Sequence, residues 1–170
     1  MPKPKPAPKF AHTSRLSHFA ASGQAAMVDV GAKPPTRRTA TASAFVALSP
    51  AVIAALPSNP KGDPLEVARF AGIQAAKRTA DLIPMCHPLA LTHVDVQAEI
   101  AEGGVRITAT AATVGPTGVE MEALTAAAVA ALTVYDMTKA LDKAIVIRNV
   151  QLEAKTGGKS GDFQRNAEGA

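Results

Sequence analysis

The chain has 170 residues, of which 47% are hydrophobic and 19% charged; this fits one folded domain and excludes a polar disordered segment. Aromatic residues make up only 4%, with no Trp, so the interior must be packed from Ala, Val, Leu and Ile, which suits close helix packing and burial at subunit contacts. The net charge of +4 does not point to nucleic acid, because Lys3, Lys5 and Lys9, in a first decade without an acid, supply three of the four charges.

That basic stretch is Pro-rich and lacks the apolar centre of a secretory signal. No run of about 18 apolar residues could span a membrane, so a cytoplasmic protein is expected, with no membrane partner. Cys86 is the only cysteine, which forms no intramolecular disulfide and agrees with a reducing compartment. Residues 1–12 and 163–170 carry too few apolar side chains to anchor them, so disordered tails are expected on either side of a single domain at 13–162.

Apolar Ala40, Ala42, Ala44, Val46 and Leu48 alternate with polar neighbours, and period two predicts a strand over 36–48. Ser49 and Pro50 open a short helix that Pro57 stops, and Asp63, Pro64 and Glu66 open a second that should run to about Ala80. From Leu91 the alternation of Val94, Val96, Ala98 and Ile100 resumes beyond Gly103-Gly104 in Val105, Ile107, Ala109 and Ala111, which predicts a β-hairpin. Thr117 and Glu120 have the spacing of a capping box, and the Ala/Leu-rich run after them predicts one long helix to about Asp142. A last strand follows through Ile145, Ile147, Val150 and Leu152. This order matches an α+β fold of ferredoxin-like plan, an antiparallel sheet with helices packed on one face.

Several residues invite chemistry. His87 lies in Pro84-Met85-Cys86-His87-Pro88, where two prolines stiffen the backbone, so it is aimed either as a proton-transfer group or simply within a connecting loop. Cys86, His87 and His93 lack the pairing of a structural zinc site, and no metal is expected. Asp136 and Lys139 are three apart on the long helix and meet on one face. Because Tyr135 and Met137 flank Asp136, partial burial of this pair is expected. Lys61 precedes a helix start that favours an anion. Glu120 and Glu122 point about 200° apart, so with Glu120 assigned to the cap, Glu122 is the functional candidate. Gly157-Gly158-Lys159-Ser160 fails the Walker spacing, since Glu153 stands where a glycine is needed; it is either a glycine turn or a loop that touches phosphate.

Met27-Val28-Asp29-Val30, Lys61-Gly62-Asp63, the run from Ala71 to Thr79, the run from Thr117 to Thr125, Tyr135-Asp136-Met137 and the run from Gly157 to Gly161 together resemble the cyclic pyranopterin monophosphate synthase family, the molybdenum-cofactor accessory protein C. The likeness extends from about Ser17 to Phe163. Ser17, Met85, Pro116 and Thr138 depart from the family's Thr, Leu, basic residue and Cys, and Pro116 removes a possible phosphate contact. The resemblance implies a lyase that rearranges a cyclised 7,8-dihydroguanosine triphosphate and releases diphosphate, in a homohexamer built as a trimer of dimers with sites between subunits. It implies that Asp136, Lys139, Lys61 and His87 are catalytic, with Asp136 the acid or base. It further implies that Met85, Cys86, His87, Met121, Glu122, Arg38 and Lys155 contact substrate. No cofactor is implied, and a Mg²⁺ requirement stays open.

Two other classes fit such a sheet. An RNA-recognition domain stacks bases on strand aromatics, and the strands here offer only Phe45. A non-catalytic module that binds an anionic, nucleotide-like metabolite would use the same Lys and Arg side chains.

Overall fold

In the computed structural model, which describes residues 24–166, the alternation after Thr36 becomes β1 (Thr36–Ala47). Its Ala40, Ala42, Ala44 and Val46 are buried on one face. The chain then forms α1 (Pro50–Ala55), a 3-10 turn over Leu56–Ser58, α2 (Pro64–Lys77), α3 (Thr79–Leu82), β2 (Leu91–Ala101), β3 (Gly104–Gly115), α4 (Glu120–Thr138), β4 (Val146–Thr156) and β5 (Phe163–Gln164). All strand pairs are antiparallel, in the order β2-β3-β1-β4-β5. The α+β ferredoxin-like reading therefore holds.

The helices cover one face of the sheet. Ala42, Ala44, Ile107, Ala109 and Val96 on the strands meet Ala123, Ala126, Ala127, Ala130 and Val134 of α4 in one continuous core. Small side chains let α2 approach α4 closely: a Cβ added at Gly72 would lie 2.9 Å from the Ala126 carbonyl oxygen and 3.2 Å from the Ala130 Cβ. No helix among the described residues is long and apolar enough to cross a membrane.

Four boundaries differ from the sequence reading. The second helix stops at Lys77, because Arg78 leaves helical geometry and Thr79 Oγ1 donates to the carbonyls of Ala75 and Ala76; a one-turn α3 follows. The capping box does not form: the helix begins after Val119, which makes no side-chain cap, and Glu120 turns elsewhere. The long helix ends at Thr138 rather than near Asp142, whose carboxylate instead accepts the Ala144 N–H in a local turn. Finally, the C-terminal tail cannot begin at 163, because Phe163 and Gln164 pair with Lys155 and Ala154 as β5. The proposed tail at 1–12 and Ser17 lie outside the described residues.

The broken alternation of Ile147, Val150 and Leu152 has a local cause. Asn149 adopts φ 55°, and the β1–β4 register shifts there and again at Thr41/Ala42, so β4 carries bulges.

Candidate active site

The α4 helix carries candidate residues at each of its two ends. At its C-terminal end Asp136 accepts from Lys139 at 2.6 Å, one turn away on the same face. The Lys61 ammonium, from the loop before α2, donates to the Asp136 main-chain carbonyl at 3.0 Å and lies 3.9 Å from its carboxylate. The loop is held in place by Asn59, which accepts the Lys61 N–H and donates to the Met137 carbonyl. Asp136 is not buried as expected: its side chain is 59% exposed although Met137 is buried. The hydrogen bond and charge of Lys139, with the more distant Lys61, hold the Asp136 carboxyl below its usual range, and Asp136 in turn raises Lys139. The pair is thus a carboxylate and an ammonium at neutral pH.

At the N-terminal end, Glu122 is only 4% exposed. Burial pushes its carboxyl upward and Glu120 adds to the rise, against the lowering effect of a backbone N–H. Cys86, on the loop that also carries Met85 and His87, lies near enough to feel the Glu122 charge. A turn closed by Cys86 N–H on the Ile83 carbonyl shapes this loop, and His87 Nε2 lies 2.8 Å from the Val28 carbonyl oxygen. Burial raises the Cys86 thiol, and the Glu122 charge raises it further, so this cysteine is a thiol rather than a thiolate. Met121, next to Glu122, is exposed.

Beside the same helix start an open cleft of about 830 Å³ lies between the sheet and the glycine loop. Lys33, Arg38, Lys155 and Lys159 line it, with Glu120 the acid among them. Arg38 donates to the carbonyls of Gly115 and Pro116, which fixes its guanidinium at the rim. Lys155 is held between Glu120 at 3.5 Å and Ser160 Oγ at 2.5 Å. Glu120 is therefore a partner of Lys155, not a cap, and its carboxylate fills the space where a Gly118 side chain would stand.

The structure brings Lys61, Asp136 and Lys139 together, gathers Cys86 and Glu122, and joins Arg38 to Lys155. It does not unite these groups within one chain, because α4 runs unbroken between Glu122 and Asp136, about 21 Å at 1.5 Å per residue. Lys33 is a cleft residue that sequence reasoning missed, although Pro34 and Pro35 after it give the same stiffening signal that singled out His87. Among the described residues no three or more His, Cys, Asp or Glu gather as metal ligands.

An α+β fold with four cations around one cleft, and a carboxylate between two lysines elsewhere, has the charge to hold a polyanionic small molecule. Residues 27–158 match the MoaC family, and the chain belongs to that family. It is 57% identical to a cyclic pyranopterin monophosphate synthase of Streptomyces griseus, over 91% of this chain and 88% of that one. It is equally similar, at 57%, to the synthase of Deinococcus radiodurans, over 88% of this chain and 90% of its relative. Molybdenum cofactor biosynthesis protein 1 of Homo sapiens is 53% identical over 90% of this chain, which spans 25% of that longer protein.

Proposed function

We propose that this protein is a cyclic pyranopterin monophosphate synthase, an enzyme of molybdenum cofactor biosynthesis. It takes a cyclised dihydroguanosine triphosphate, rearranges the purine-derived ring and releases diphosphate. Membership of the MoaC family and the names of its relatives support this reading. The structural observation that carries it is the Asp136 carboxylate held ionised between Lys139 and Lys61.

Ring rearrangement needs several proton transfers, and a base must be unprotonated at working pH. Asp136 meets that need, while the Lys139 ammonium supplies a donor and a positive charge. Closing the cyclic phosphate requires a ribose hydroxyl oxygen to bond to the α-phosphorus as the bond from that phosphorus to the bridging oxygen breaks. The hydroxyl proton passes to a base and diphosphate departs with the bond electrons. Cations fixed in advance around the leaving group stabilise its charge, and the lining of the cleft by Arg38, Lys155, Lys33 and Lys159 supports that role for them. Glu122 and the Met85-Cys86-His87 loop are assigned to contact with the purine-derived ring; the nearness of Cys86 to Glu122 supports this. The reading needs no resident cofactor, since the chain's own side chains provide the charges.

Assembly follows from α4. A small substrate cannot touch Glu122 and Asp136 of the same straight helix, so the catalytic site joins one subunit's helix start to another's helix end. Exposed Leu132, Leu141, Val146 and Val150 supply apolar surface for such contacts, in a hexamer of three dimers in the cytoplasm. Neither nucleic acid nor membrane is a partner. The test is incubation with the cyclised triphosphate: stoichiometric diphosphate release identifies the enzyme, and tight binding without release identifies a metabolite-binding module instead.

A further inference from the structure

The glycine loop after β4 forms one wall of the cationic cleft, yet its own composition does nothing to hold it there. Gly157, Gly158 and Gly161 all have positive φ, and such a run has many conformations open to it. It nevertheless lies flat on the start of β1. A Cβ at Gly157 would stand 2.4 Å from the Arg37 carbonyl oxygen, and one at Gly158 would stand 2.1 Å from the Arg38 guanidinium. Lys159 and Ser160 thereby face the cleft.

What fixes the loop lies just beyond it. Asp162 Oδ1 accepts the Gly157 N–H at 3.0 Å and ties the two ends of the loop together. Phe163 and Gln164 then pair with β4. Arg165 completes the attachment: its N–H donates to the Glu153 carbonyl at 2.7 Å, and its Nε donates to the Leu152 carbonyl at 2.9 Å, 3.7 Å from the Glu153 carboxylate. Glu153 is itself anchored from the sheet by Ser43 and by Gln151. Burial alone would raise its carboxyl, but these hydrogen bonds and Arg165 outweigh it and keep Glu153 ionised.

We infer that Asp162 to Arg165 form a clasp on the glycine loop, and that Asp162 and Arg165 are positioning residues for the diphosphate end of the substrate. The inference rests on the reading of the cleft as the polyphosphate site. The clasp orders the loop before substrate arrives, so the ordering does not have to be met from binding free energy. Neither residue lines the cleft, so their loss acts through the loop: it weakens the hold on diphosphate, both as a ligand and as a leaving group.

The experiment measures kcat, KM and inhibition by diphosphate in the full-length oligomer, together with trypsin cleavage after Lys159. Asp162→Ala should raise the diphosphate inhibition constant and lower kcat/KM in parallel by about fivefold, the effect of one net hydrogen bond. Cleavage after Lys159 should quicken, and Asp162→Asn, which keeps an acceptor oxygen, should restore most of the binding. Arg165→Ala, at an exposed position, should show the same pattern more weakly, and it serves if Asp162→Ala folds poorly. If Lys155→Ala weakens diphosphate inhibition while Asp162→Ala and Arg165→Ala do not, the clasp is wrong and the cleft assignment stands. If Lys155→Ala and Lys159→Ala both leave that inhibition unchanged, the cleft assignment falls and takes the clasp's role with it. A drop in kcat with the diphosphate inhibition constant unchanged would overturn the positioning role directly.

Discussion

Lys61 reaches across 75 positions of sequence to the end of α4, where its ammonium donates to the Asp136 carbonyl and faces the Asp136 carboxylate. The last carbonyls of a helix lack partners within it and carry the negative end of its dipole, so a cation belongs there. One lysine thus satisfies a main-chain acceptor and presses a side chain toward its ionised form. The loop before α2 and the end of α4 become a single unit.

Asp136→Asn should lower turnover by orders of magnitude and leave the fold intact, because the side chain is exposed and makes no core contact. A base is active only when unprotonated, so wild-type kcat/KM should hold as pH falls into the ordinary aspartate range near 3.9, its acid limb lying lower. Lys139→Ala removes the main cause of the depression, so in that variant the acid limb should move upward in pH. Activity of Asp136→Asn within a few-fold of wild type, or an unmoved limb, would remove Asp136 from the role of base.

Much of the fold was legible because strands and helices repeat with different periods. Ala40 to Val46 and Val94 to Ile107 announced their strands and the Gly103-Gly104 turn. The cap at Thr117 misled because local spacing ignores distant charge: Lys155, which the sheet brings from the far end of the chain, attracts Glu120 away from it. Burial of Asp136 was misjudged for a geometric reason, since neighbours on a helix point about 100° apart and a buried Met137 says nothing about residue 136. Lys33 and Lys155 escape pairing by eye because only the β1–β4 pairing makes them neighbours of one cleft.

Glu122 should make stability depend on pH. Its carboxyl is raised in the folded state, so the folded protein holds this proton more tightly than the unfolded chain, where it titrates near 4.3. Its contribution is fully present below that pH and is lost as pH rises through the higher folded value. Glu122→Gln avoids the buried charge. Its melting temperature should therefore exceed that of wild type at neutral pH and converge with it at pH 4 and below. Equal pH profiles for the two proteins would show that Glu122 is comfortably ionised in the fold.

Gly72 marks where α2 and α4 touch. With a backbone oxygen 2.9 Å from the position of an added Cβ, Gly72→Ala must push the helices apart, although Ala favours helix. Overpacking of this kind costs about 1–3 kcal/mol, which denaturant unfolding resolves. A stabilised Gly72→Ala would mean that the α2–α4 contact has slack.

The unbroken α4 makes a prediction about assembly that no single chain can satisfy. Glu122 and Asp136 sit about 21 Å apart on a helix without Gly or Pro, and Ala123 to Val134 bury a continuous face that a kink would disrupt. If both residues serve one substrate, they come from two chains related by a two-fold axis. Glu122→Ala and Asp136→Asn should each be inactive alone, and mixing them with subunit exchange should restore part of the activity. In the hybrid dimer one site then carries both lesions while the other carries neither. Exchange should be followed independently, by mass spectrometry of differently labelled chains. Exchange without recovery would place both residues in one chain's site, and the straight course of α4 would then be the claim to give up.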